Sequence, residues 1–210
     1  MKRSTSLALT VVTLTFIATA LTGWLVNAQP AVAAGPRTTA GDKPAKESAE
    51  SLLARGKYLV TVAGCNDCHT PWKMGANGPE PDMTRMLSGH PQSFELPPPP
   101  SPVGPWLVSA AATNTAWSGP WGVSFTANLT PDPETGLGKW TLRNFVDTIR
   151  TGRHLGRGRP VLPPMPIPMY KHFTDADLEA IYRFLQTIPP VKNAVPEPLP
   201  PAEAAAAAPR

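Results

Sequence analysis

Proline occupies 28 of the chain's 210 positions, where an average protein carries about 5%. Each proline fixes φ and removes a backbone donor, so neither a continuous sheet nor a long helical bundle can be threaded through so many. Their placement divides the chain. Ten lie within residues 72–124, five between Pro160 and Pro168, and seven beyond Ile188. Regular structure has to come from the short proline-poor stretches between these groups.

The two ends read as separate from any core. Lys2 and Arg3 precede an apolar stretch from Leu7 to Val26, and Ala31-Val32-Ala33-Ala34 has the small residues of a signal peptidase site. Residues 1–34 are therefore expected to be an export signal, with an uncleaved membrane anchor as the alternative. Either way the remainder lies outside the cytoplasm, and the expected location is periplasmic. Residues 35–50 are polar and aperiodic, a flexible linker. Residues 189–210 form a Pro/Ala-rich tail, expected to be mobile apart from a first stretch on the surface. One core domain, residues 51–188, is left, and it is long enough for a single hydrophobic core. The net charge of +4 falls by two when Lys2 and Arg3 leave. No basic face or motif suited to nucleic acid accompanies it, so no nucleic-acid partner is expected.

Three helices can be read. The first spans about Leu52 to Val62, with Leu52, Leu59, Val60 and Ala63 available for a buried face. In the second, Thr141 caps a stripe of Leu142, Phe145, Val146 and Ile149, and Gly152 ends it. In the third, Thr174 and Asp177 form a capping box ahead of Leu178, Ile181, Tyr182 and Leu185, and Pro189-Pro190 stops it. No stretch alternates as a strand over more than four residues. The expected fold class is all-α, with about three main helices. Residues 72–124 form a long irregular insertion whose Trp106, Trp117 and Trp121 are expected to be buried in place of secondary structure.

Both cysteines of the chain fall in Cys65-Asn66-Asp67-Cys68-His69. C-x-x-C-H is the attachment signature of c-type haem. Each thiol adds across one vinyl group, and the adjacent histidine supplies an imidazole to the iron. A redox disulfide would need a βαβ context, which is missing, and a structural zinc site would need four ligands, usually from two such pairs. One covalent haem c, held through Cys65 and Cys68 with His69 as the proximal ligand, is the expected cofactor.

Candidates for a sixth ligand are Met74, Met83, Met86, His90, His154, Met165, Met169 and His172. The proline-stiffened run Leu162–Met169 suits the role, and Met165, between Pro164 and Pro166, is held extended there. Met169 is the rival within the same run.

Four stretches carry a resemblance to class I c-type cytochromes, in particular the bacterial periplasmic mono-haem domains related to cytochrome subunits of membrane-bound dehydrogenases. They are Arg55–Val60, Cys65–His69, Asn128–Asp132 with Thr135–Gly138 and Trp140, and Pro164-Met165-Pro166 followed by Leu178–Tyr182. The resemblance covers about Leu52 to Ile188, although residues 72–124 exceed what the minimal fold needs. It implies a cytochrome c-like fold around one haem, with the axial sulfur supplied by Met165. It also implies a crossing of first and last helices at a small residue against an aromatic one, mapped to Gly56 and Tyr182.

Arg150, Arg153, Arg157 and Arg159 are read as a solvated loop, with haem-propionate pairing or acidic-partner docking as the functional alternative. Trp140 and Asn128 are read as a packed indole and a turn residue, His154 and His172 as surface residues. The expected function is electron transfer between redox proteins, a dehydrogenase donor and an oxidase or cytochrome acceptor, with no catalytic residues of its own. Membrane association is expected only through an uncleaved N-terminal segment. The competing reading is a haem-based enzyme or sensor with an open or displaceable sixth position.

Overall fold

The computed structural model describes residues 48–99 and 106–201. The expected signal, most of the linker and the end of the tail lie outside these residues.

The three long helices form where their caps and stripes place them. α1 (Ala49–Val62) starts at Ser48, whose hydroxyl accepts from Ser51 N, and buries Gly56, Leu59 and Val60. α2 (Cys65–His69) follows after only Ala63 and Gly64. α3 (Leu142–Thr151) has a reciprocal capping box between Thr141 and Asn144 and ends at Gly152 in the left-handed region. α4 (Ile167–Tyr170) is a single turn. α5 (Asp175–Leu185) opens with the Thr174–Asp177 box and buries Leu178, Ala180, Ile181 and Leu185.

α1 and α5 cross at Gly56. A Cβ there would come within 2.0 Å of Ala180 O and 2.8 Å of Phe184 Cβ, so only glycine permits the approach. The residues met are thus Ala180 and Phe184, not Tyr182. Tyr182 turns its ring toward Phe145 (5.8 Å between centroids) and donates its hydroxyl to Trp140 O at 2.7 Å. Beside the crossing, Arg55 Nε donates to Asp177 Oδ1 at 2.9 Å. That long-range ion pair draws its carboxylate from the cap of α5.

The all-α expectation is wrong. Among the described residues the insertion folds into five short strands in two antiparallel sheets, so the architecture mixes α and β. β1 (Trp72–Gly75) pairs with β2 (Gly78–Pro81), with Trp72 opposite Pro81. β3 (Ser109–Ala110), β4 (Ala116–Gly119) and β5 (Gly122–Phe125) form the second sheet in that order. None of these strands exceeds four residues, too short for alternation to show, and proline sits inside β2. The tryptophans also divide. Trp106 is 77% exposed, while the Trp117 and Trp121 indole nitrogens are buried with no hydrogen-bond partner among the described residues.

Candidate functional site

α2 is held from behind by the insertion. Gly89 N donates to His69 O at 2.8 Å, and Leu87 N to Thr70 Oγ1 at 2.9 Å. Trp72 Nε1 and Asn114 Nδ2 both donate to Asp67 O, at 3.1 and 2.7 Å. The carbonyls at the end of so short a helix have no intrahelical partners, and strands and turns of the insertion supply them.

Cys65, Cys68, His69 and Met165 all line one cavity of about 460 Å³. That volume lies in the range of sites for sizeable organic ligands. Leu178, Ile181 and Leu185 of α5 give it an apolar wall, and Phe145 and Ile149 of α3 another. The cysteines are not joined to each other. Burial pushes the Cys65 thiol up to about 11 and raises Cys68 as well. Burial thus favours the neutral thiol at both positions. Among the described residues no three His, Cys, Asp or Glu gather to hold a metal ion.

The His69 ring is fixed by a 2.8 Å hydrogen bond between Nδ1 and Ala127 O. A carbonyl only accepts, so Nδ1 carries the proton and Nε2 keeps its lone pair. Burial lowers the His69 pKa, against the opposing effect of that bond, and favours the neutral, ligating form. Thr126 Oγ1, one residue away, lines the cavity buried and without a partner among the described residues. An apolar chamber with one ligating nitrogen, two thiols, a thioether and an orphaned hydroxyl suits a large, mainly apolar group with a metal centre and a few polar atoms.

Of the eight candidate sixth ligands, only Met165 and His154 line this cavity. Met169 is 72% exposed and Met74 76%; Met83 and His172 are exposed too, and Met86 packs on the core. His90 is buried, but Nδ1 meets Thr115 Oγ1 at 2.9 Å and Nε2 donates to Phe94 O at 3.1 Å. His154 is exposed, as expected, with its ring edge-on against Trp140 and centroids 5.1 Å apart. The Met165 loop is tied to the insertion, because Ser124 Oγ donates to Pro163 O at 2.6 Å.

The arginines separate by partner. Arg150 donates to Lys171 O and Asp175 Oδ1, and Arg159 Nε to Glu197 Oε2 at 2.9 Å. Arg153 reaches only the Gly158 carbonyl (3.0 Å), and both Arg153 and Arg157 are exposed. Asn128 also lines the cavity, yet Nδ2 donates to Val191 O at 2.8 Å and to Thr135 Oγ1 at 3.2 Å. Its donors are spent on the fold.

Sequence reasoning missed the tail's part in this site. Ala194 to Pro198 line the cavity. Their prolines and lack of apolar period resemble a disordered segment, and no sequence signal announces the contact.

No family model matches the chain. It is 36% identical over 147 residues to a nicotinate dehydrogenase subunit of Pseudomonas putida, a match that covers 70% of this chain and 9% of that protein. It is 28% identical over 144 residues to the cytochrome c subunit of alcohol dehydrogenase (quinone) of Gluconobacter oxydans, 69% of this chain and 23% of the relative. It is 29% identical over 167 residues to the fructose dehydrogenase cytochrome subunit of Gluconobacter japonicus, 80% and 25%. The chain thus spans a quarter or less of the length of these curated relatives.

Proposed function

Because the chain carries a c-type cytochrome domain, we propose that it is an electron-transfer protein with one covalent haem c. Cys65 and Cys68 would hold the haem as thioethers, and His69 and Met165 would be its axial ligands. The observation that carries this reading is the meeting of all four side chains in one apolar cavity. The haem supplies a one-electron couple at iron; the protein sets its axial ligands, burial and hydrogen bonding.

The chain's own residues then have distinct tasks. Ala127 O orients the His69 ring and fixes its tautomer, which keeps Nε2 available. α3 and α5 exclude water along the apolar walls. Ser124, through Pro163 O, holds the loop that presents Met165. His69 and Met165 would both be committed to holding the iron, so the chain would serve as a carrier.

The partners follow from the relatives named as cytochrome subunits of dehydrogenases. A dehydrogenase subunit is the proposed electron donor, and a second redox protein outside the cytoplasm, an oxidase or cytochrome, the acceptor. Among the described residues no helix is long and apolar enough to cross a membrane. The proposed periplasmic location rests on the export signal expected in residues 1–34.

The test is spectroscopic. Met165→Ala should abolish the sulfur-to-iron charge-transfer band of the oxidised protein, and Met169→Ala should keep it. Retention of the band in Met165→Ala would refute the axial assignment. Rapid carbon monoxide binding by the reduced wild-type protein would favour an open or displaceable sixth position.

A further inference from the structure

The chain after α5 doubles back over the cavity, although its composition resembles a loose tail. Asn193 is buried, with both amide hydrogens and the amide oxygen hydrogen-bonded. Nδ2 donates to Ser88 O at 2.7 Å and His90 O at 2.9 Å, and Oδ1 accepts from Gln92 N at 2.8 Å. Its backbone N donates to Thr135 Oγ1 at 2.9 Å. One side chain thereby joins the tail to the insertion, and its backbone joins the tail to the loop after Asn128. On one side, Val191 N donates to Thr130 Oγ1 at 3.0 Å. On the other, Ala194 N donates to Gln92 Oε1 at 2.8 Å, and Leu199 exchanges a pair of 2.9 Å backbone bonds with Val123 of β5.

Gly122 is built to receive this segment. Its φ is +97°, and a Cβ there would lie 2.0 Å from Leu199 O. Between the Asn193 and Leu199 fastenings lie the cavity-lining Ala194 to Pro198, with Glu197 paired to Arg159 at the same wall.

We propose that residues 191–201 are a fastened cover of the cavity, and that Asn193 is the positioning residue that holds it shut. The proposal rests on reading the cavity as the haem site. Buried amide groups bonded on all sides are costly to release, because each freed carbonyl is left without a donor. A rigid, proline-rich cover keeps water from the group inside. Burial disfavours the more charged oxidised state, so the cover raises the midpoint potential.

Two measurements on the full-length protein test this. Asn193→Ala should speed amide exchange at Ala194, Leu199 and Val123 by about tenfold or more, the equivalent of one or two lost hydrogen bonds. Exchange in α1 and α5 should be unchanged, and the midpoint potential should fall. If Asn193→Ala does not fold, Asn193→Ser, whose shorter hydroxyl cannot make all three side-chain bonds, is read the same way. Unchanged exchange in the folded variants would show that Asn193 does not fasten the segment. Faster exchange with an unaltered potential would show that the segment does not shield the site. Absence of haem from the wild-type protein would refute the functional reading, and exchange in the polypeptide would still decide whether Asn193 holds the segment.

Discussion

The helical frame and the insertion with its strap, residues 191–201, both line the same cavity, but they are built by different physics. α1, α3 and α5 are specified by local rules: caps, apolar stripes and one glycine crossing. The insertion and strap are specified by non-local bonds from buried polar side chains to distant backbone. Asn128, Thr130 and Asn193 do there what apolar stripes do in the frame. The frame contributes apolar walls, α2 carries the C-x-x-C-H motif, and the other region positions the Met165 loop and adds Ala194 to Pro198 to the cavity lining.

The largest expected effect tests the frame. Gly56→Ala forces a Cβ into Ala180 O, and overpacking at a buried backbone contact should cost at least about 3 kcal/mol, or prevent folding. Thermal unfolding of Gly56→Ala should show it; a near wild-type midpoint would mean that the helices do not cross there. Next comes the polar network. Asn128→Ala strips a donor from Val191 O and an acceptor from Thr130 N and Oγ1, and should cost about 1–3 kcal/mol. Its effect should spread to the strap, seen as faster exchange at Val191. Thr174→Ala removes the α5 cap and should cost about 1 kcal/mol without reaching the strap.

The smallest effect is in acid. The Thr84 hydroxyl, with further help from Arg85 and Lys73, holds the Asp82 carboxyl down at about 2. A depressed carboxylate stabilises the fold above its ordinary pKa near 4, and that contribution is lost as pH falls toward 2. Asp82→Asn should flatten this acid limb in chemical-denaturation curves by at most about 1 kcal/mol, since the cations are half exposed. An unchanged slope would show that the insertion's charge cluster contributes nothing.

The same contrast explains what was legible in the sequence. Thr141, Gly152, Thr174 and Asp177 mark helix ends by chemistry that acts over three or four residues, and the structure uses all of them. Cys65, Cys68 and His69 are adjacent, so the motif itself brings them together. Met165 and Met169 share one proline-rich run; Met165 lines the cavity and Met169 is exposed. The strands could not be read, because four residues do not establish a period and β2 contains proline. Nor could the strap, where Asn193 finds its partners at Ser88 and His90, about a hundred residues away. Trp106 shows the converse: an aromatic residue in an irregular segment need not be buried.

The central claim is a haem held covalently through Cys65 and Cys68. It is tested most directly by the mass of the purified protein after denaturing extraction, together with its reduced-minus-oxidised spectrum. One haem per chain should remain bound, and Cys65→Ala/Cys68→Ala should lose it. A colourless polypeptide of unmodified mass, with both thiols free to react, would contradict the account.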